Sequence, residues 1–170
     1  STRPLLYVAN VVEQIDPEML IKNGGIEKMV MHGVNRVLSM QTASGGFAYW
    51  PGGTRPDPWG TAYATHMLLD AKKAGFDIPQ DRLDEVIKWI DDTLEKRSVG
   101  SGYGYRYAEP YLHYVLARAG KGKKARIQRL IEVEQGKSKR SNIDLEKEYL
   151  LKSALYLAGD RRYEKFLKSP

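Results

Sequence analysis

Residues 59–97 read WGTAYATHMLLDAKKAGFDIPQDRLDEVIKWIDDTLEKR, and the change of character across Gly75 decides the fold. From Thr61 to Leu69 there is no Asp, Glu, Lys or Arg, so a helix here is predicted to be buried on more than one side. Beyond Gly75 the chain carries Asp81, Arg82, Asp84, Glu85, Lys88, Asp91, Asp92, Glu95, Lys96 and Arg97, while Leu83, Val86, Ile87, Ile90 and Leu94 recur at helical spacing. That pattern is a helix with one dry stripe and the rest in water. The alanine and glycine between the two are the residues that end a helix in a left-handed turn.

Working outward, the same sentence is repeated. Gly120 and Gly159 also follow an alanine at the end of an uncharged stretch, and Gly75, Gly120 and Gly159 fall 45 and 39 residues apart. Asp16-Pro17 and Asp57-Pro58 each combine a capping carboxylate with proline, whose missing N–H costs nothing in a first turn. These signals predict helices over Pro4–Gln14, Ile26–Met40, Trp59–Ala74, Pro79–Arg97, Pro110–Ala119, Lys123–Glu134, Asp144–Ala158 and Arg161–Leu167. No strand is predicted, although Phe47-Ala48-Tyr49-Trp50 suits a short extended piece. The class is all-α, with a dry and a wet helix in each hairpin. Two architectures fit: an open solenoid, and an α/α toroid in which hairpins close into a ring. Eight helices make about four hairpins, so a toroid would be an incomplete ring with an apolar flank that drives self-association of the fragment.

Composition agrees with one folded domain over residues 1–170. Hydrophobic residues are 42% and charged residues 28% of the 170, with 27 basic against 21 acidic side chains and a net charge of +6. No apolar run approaches the roughly 18 residues of a membrane span, and no membrane contact by this domain is expected. There is no cysteine, which excludes disulfides, thiolate metal sites and a cysteine nucleophile within the chain. The chain begins at Ser1 rather than Met, which reads as a processed or excised start.

The least ordinary stretch is Gln41-Thr42-Ala43-Ser44-Gly45-Gly46-Phe47-Ala48-Tyr49-Trp50-Pro51-Gly52-Gly53. Its glycines permit tight turns and its aromatics cannot all be solvated, so it is expected to fold back and cap the helical array, with the Gln41 amide meeting the orphan groups of a helix terminus. The functional alternative is a binding platform for carbohydrate or peptide built from Tyr49, Trp50, Trp59 and Tyr63, with His66 on the adjoining helix.

Gln41-x-x-x-Gly45-x-Phe47, then Tyr49-Trp50-Pro51-Gly52-Gly53, then Pro58-Trp59-x-Thr61-Ala62-Tyr63-x-Thr65-His66-x-Leu68-Leu69 resembles the thioester domain of bacterial alpha-2-macroglobulins. Pro4-Leu5-Leu6-Tyr7, Tyr114-Val115-Leu116-Ala117-Arg118-Ala119-Gly120 and Leu155-Tyr156-Leu157-Ala158-Gly159-Asp160 extend the resemblance over nearly the whole chain. It implies an α/α toroid of the terpenoid-cyclase type, set in a periplasmic or cell-surface protease trap. There a Cys–Gln thioester acylates the attacking protease after bait cleavage. That bond needs Cys-x-Glu-Gln, which this chain lacks; Val11-Val12-Glu13-Gln14 carries Val in the place of the nucleophile. By the family's order the reactive motif ends a few residues before Ser1, or else the parent lacks it, as some bacterial members of the family do; either way the expectation is an inert scaffold: no catalytic residue, no metal, no cofactor, and partners in proteases and in other domains of the parent.

Other chemistries are weaker. His32, His66 and His113 form no His-x-x-x-His or His-Glu-x-x-His pair, and His66 and His113 are read as hydrogen-bonded core residues. Asp91-Asp92-x-x-Glu95 is similar to a magnesium-diphosphate cluster, yet it sits beside Lys88 and Lys96 on the wettest helix, where a solvated face is the simpler reading. Lys121, Lys123, Lys124, Arg126, Arg129, Lys137, Lys139 and Arg140 carry most of the excess charge, but no aromatic is interleaved for base stacking, and no nucleic acid is expected. An enzyme of the toroid class would place Asp57 and Glu109 about a polysaccharide lined by Trp50 and Trp59; a HEAT-like interaction solenoid would carry no chemistry.

Overall fold

The computed structural model describes residues 25–96 and 103–168, with backbone alone at 103–106 and 168. The helix expected over Pro4–Gln14, the Asp16-Pro17 start and the Val11–Gln14 stretch lie outside the described residues, as does Arg97. Seven α-helices follow in order: α1 Gly25–Leu38, α2 Pro58–Lys73, α3 Gln80–Lys96, α4 Tyr103–Arg118, α5 Lys124–Gln135, α6 Asn142–Leu157 and α7 Glu164–Lys168, the last preceded by a 3-10 turn at Arg161–Tyr163. There is no strand among the described residues, and the extended piece expected at Phe47 reduces to one isolated antiparallel bridge, Gln41 to Phe47. The protein is all-α. The chain sorts into two compact units, Ser1–Val86 and Ile87–Pro170.

In the first unit, α1 packs on α2. α2, uncharged from Thr61 to Leu69, buries Thr61, Ala62, Ala64, Thr65, His66, Met67, Leu68, Asp70 and Ala71, a set too wide for one stripe. Asp57 caps it, its carboxylate accepting the Gly60 N–H at 2.6 Å, and Pro58 occupies the first turn. The first half of α3 contributes only Leu83 and Val86 to the core. In the second unit, α6 packs on both α4 and α5. Its core joins Ala117, Ile127, Ile131, Leu151, Ala154 and Leu155, with Tyr114, Leu130 and Tyr163 packed against the edge. Here α5 buries Ile127 and Ile131, one turn apart, whereas α4 buries Ala108, Leu112, His113, Val115, Leu116 and Ala117. Dry and wet helices therefore follow the charge pattern.

The three Ala-Gly helix ends have one geometry. At Gly75 the N–H meets the Lys72 carbonyl at 3.0 Å while the Phe76 N–H reaches the Ala71 carbonyl at 3.1 Å. The same pair of bonds closes α4 through Gly120 and Lys121 and α6 through Gly159 and Asp160. These are Schellman motifs, in which glycine takes the left-handed position and satisfies otherwise orphaned carbonyls. At the other end of α6, Ser141 and Asp144 form a capping box.

One boundary differs from expectation. Proline at 110 reads as a first-turn residue, but α4 begins at Tyr103 and holds Pro110 in its interior. Proline there forfeits a backbone bond at a cost of about 3 kcal/mol. Ala108 and Pro110 are both buried, so packing of that face offsets the local penalty. Arg161–Leu167 likewise divides into a 3-10 turn and the short α7.

Gly120 has φ of 77°, and nothing lies within 4 Å of where a Cβ would stand. A substitution there meets only backbone strain. Gly120→Ala is expected to lower unfolding stability by about 1–2 kcal/mol, and Gly120→Asn by less, as read from urea denaturation. Equal stability of all three chains would remove the left-handed turn as the cause of the helix end.

Candidate functional site

The loop between α1 and α2 is built from its own polar groups. The Gln41 amide donates to the Gly45 carbonyl and to the Arg82 carbonyl of α3, both at 2.9 Å, and the Arg82 guanidinium donates to the Leu38 carbonyl at the end of α1. Thr42 closes a tight turn, its N–H and hydroxyl both meeting the Gly46 carbonyl. Gly45 has φ of 97°, and a Cβ there would stand 2.5 Å from the Glu85 carbonyl oxygen. The Phe47 N–H is held by the Thr61 hydroxyl at 2.9 Å, and the Asp57 N–H meets the Phe47 carbonyl at 2.8 Å. Gln41 thus ties α1, the loop and α3 together, while Thr61 ties the loop to the first turn of α2. The loop folds back as expected, but the Gln41 amide meets a loop carbonyl and a carbonyl within the first turn of α3 rather than the orphaned groups of a helix terminus.

What the loop buries and what it displays are distinct. Phe47 and Ala48 are buried, whereas Tyr49 is 64%, Trp50 75% and Trp59 48% exposed. Trp59 stacks on Tyr63 with ring centroids 5.5 Å apart and planes 8° from parallel. An apolar groove of about 290 Å³ runs beside this pair, lined by Val37, Met40, Phe47, Ala48, Tyr49, Trp59, Gly60, Tyr63, Ala64 and Met67. Of the five residues singled out from sequence, Tyr49, Trp59 and Tyr63 meet at the groove. Trp50 does not line it, and His66 is buried, with its Nε2 3.6 Å from the Asp70 carboxylate. Sequence reasoning passed over the aliphatic half of the wall. Gly60, Ala64 and Met67 recur at helical spacing with Tyr63, as Val37 at the end of α1 and Met40 in the turn after it do, and that periodicity was the available signal.

The remaining candidates have structural employment. The Asp57 carboxylate is spent on its cap, and Glu109 lies 3.7 Å from Arg126; the two acids fall in separate units. Lys123 inserts its ammonium between Asp91 and Glu95, so two carboxylates of the cluster share an ion pair within the fold. No group of acids and histidines that would hold a metal exists among the described residues. Among the described residues, four of the eight cations in the basic stretch are paired: Lys123, Arg126 to Glu109, Lys137 to Glu134 and Asp144, and Arg140 to Glu148. Burial pushes the Glu148 carboxyl up, but hydrogen bonds from Lys152, Gln135 and Arg140 overcome it and hold the group down at about 2. Lys152, in turn, stands over the Phe166 ring at 3.9 Å.

His113 corrects an expectation. It is fully buried on α4, yet neither ring nitrogen has a hydrogen-bond partner among the described residues. Burial, reinforced by Arg126 and Lys123 and opposed by Asp91, lowers its basicity to about 3. It is a neutral core residue, held by packing rather than by hydrogen bonds.

No family model matches the chain. An alpha-2-macroglobulin of Xylella fastidiosa is 32% identical over 135 residues, covering 76% of this chain and 8% of that protein. The structure of Salmonella alpha-2-macroglobulin reacted with methylamine superposes with a TM-score of 0.72 at 25% identity, over 98% of this chain and 11% of that one. The structure of trypsin-activated Escherichia coli alpha-2-macroglobulin gives 0.69 at 25%, over 84% and 10%. The chain therefore spans about a tenth of the length of these relatives.

The geometry separates load from display. Gly45→Ala is expected to cost at least about 2 kcal/mol, combining a left-handed backbone with a clash on Glu85, whereas Trp50→Ala should stay within about 0.5 kcal/mol of the parent chain. Thermal unfolding of the two variants checks this; a tolerated Gly45→Ala would mean that the loop is not pinned to α3.

Proposed function

We propose that this chain, a homologue of one segment of the bacterial alpha-2-macroglobulins, is a rigid scaffold within the thioester domain of a protease trap and is chemically inert by itself. The observation that carries this reading is the loop 41–57. Every polar side chain named there serves backbone geometry, and the chain holds no cysteine. Its α/α hairpins form part of a toroid spanning residues 1–170, and the acyl group that reacts with a protease is supplied by a Cys-x-Glu-Gln sequence elsewhere in the parent. An acylating thioester must be kept from water until release, so a pinned, rigid neighbour is the contribution expected of a scaffold. The homologues' reaction with methylamine and activation by trypsin support the same class of chemistry in the parent. The compartment that goes with this role is the periplasm or cell surface, where foreign proteases arrive.

The exposed Tyr49 and Trp59 beside a nearly uncharged groove favour a contact surface for another domain of the same polypeptide. Aromatic anchors at an apolar groove are what domain docking uses. In the isolated chain that surface, together with exposed Leu145, Tyr149 and Phe166, promotes self-association at high concentration.

Mass spectrometry of the intact parent tests the central claim. Methylamine is expected to add one methylamine to the parent and none to residues 1–170 alone. An unmodified parent would overturn the thioester role, and modification of the isolated chain would overturn its inertness. Sedimentation of the isolated chain at millimolar concentration should show species larger than the monomer; a strictly monomeric profile would refute the uncovered-surface reading.

A further inference from the structure

The second unit contains a single histidine, His113, placed where a proton cannot be accommodated. The imidazole is fully buried and its nitrogens meet no partner among the described residues. The charges that act on it are Arg126 of α5, Lys123 just before α5, and Asp91 of α3. Each is already committed: Lys123 to Asp91 and Glu95, Arg126 to Glu109 of α4. On α6, which packs against α4, the buried charges Glu148 and Lys152 are paired with each other at 2.7 Å. None of these carboxylates reaches the imidazole, whose two nitrogens have no hydrogen-bond partner among the described residues, and the cations Arg126 and Lys123 oppose a charge on it.

We propose that His113 is an acid-operated release for the corner where the C-terminal half of α3, α4 and the start of α5 meet, opening that corner as the surroundings fall from neutral to mildly acidic pH. In the closed corner a proton on the ring would be a third positive charge, dry and unpaired, so the ring takes a proton only when α4 and α5 part and water reaches it. The exposed ring accepts a proton below about pH 6.5, while the closed form refuses it down to about 3. A group depressed on folding contributes stability that is complete above its unfolded value and is lost as pH falls. The open population should therefore rise about tenfold per pH unit below about 6.5, or about 100-fold between pH 7.5 and 4.5. Ordinary carboxylates titrate mostly below that window, which isolates the histidine.

Hydrogen exchange of the whole chain, followed by mass spectrometry at pH 7.5 and 4.5 and corrected for intrinsic rates, tests this. Protection of α4 and α5 peptides is expected to fall about 100-fold at pH 4.5, and by less than about threefold in His113→Gln. Unchanged protection in the natural chain, or an equal fall in the variant, would overturn the proposal. Should His113→Gln fail to fold, the ring's NMR signals in the natural chain decide: they should stay those of neutral imidazole in the closed state down to pH 4.5, and titration near 6.5 would overturn it.

Discussion

Each dry helix of this protein must stop and turn without leaving its last carbonyls unpaired in an apolar setting, and that requirement governs the architecture. An L-residue with a side chain pays for the left-handed turn that satisfies those carbonyls, whereas glycine adopts it freely. At Gly75, Gly120 and Gly159, φ lies at 93°, 77° and 90°, and the same two backbone bonds close all three helices. Because the same turn closes each dry helix, the alternation of buried and solvated segments is repeatable along the chain.

The second constraint concerns the longest described connection, 39–57. A loop between packed helices has to pair its own backbone, and here one amide does the joining. Gln41 bonds the loop and α3 at once, and Thr61 reaches back from α2 to Phe47. Once the backbone is pinned at both ends, alternate aromatics are sent to opposite fates: Phe47 to the core, Tyr49 and Trp50 to the surface. Rigidity and display are thus two consequences of the same hydrogen bonds. They fix the backbone of the loop while leaving Tyr49 and Trp50 in solvent.

Much of this was legible in advance, for local reasons. The Ala-Gly ends, the Asp57 cap and the apolar stripe Leu83, Val86, Ile90 and Leu94 act within a few residues, so helix ends there came within two residues of the structure. The start of α4 was not legible. Proline at 110 looks like a beginning when only its missing N–H is considered, and its burial inside α4 depends on neighbours remote in sequence. His113 was misread for a related reason: a histidine in an uncharged helix suggests a hydrogen-bonded core residue, and the want of a partner is a property of what surrounds it.

By itself the sequence determined the all-α class, the dry and wet alternation, the left-handed glycine ends and the absence of any cysteine chemistry within the chain, because each is set by residue type and short-range spacing. Only the tertiary structure decided that Tyr49, Trp59 and Tyr63 share a groove while Trp50 and His66 do not, that Lys123 pairs with both Asp91 and Glu95, and that His113 sits dry and without a hydrogen-bond partner among the described residues. Those facts turn on which side chains are brought together from distant positions, and burial and electrostatics are properties of that assembly rather than of any stretch of chain.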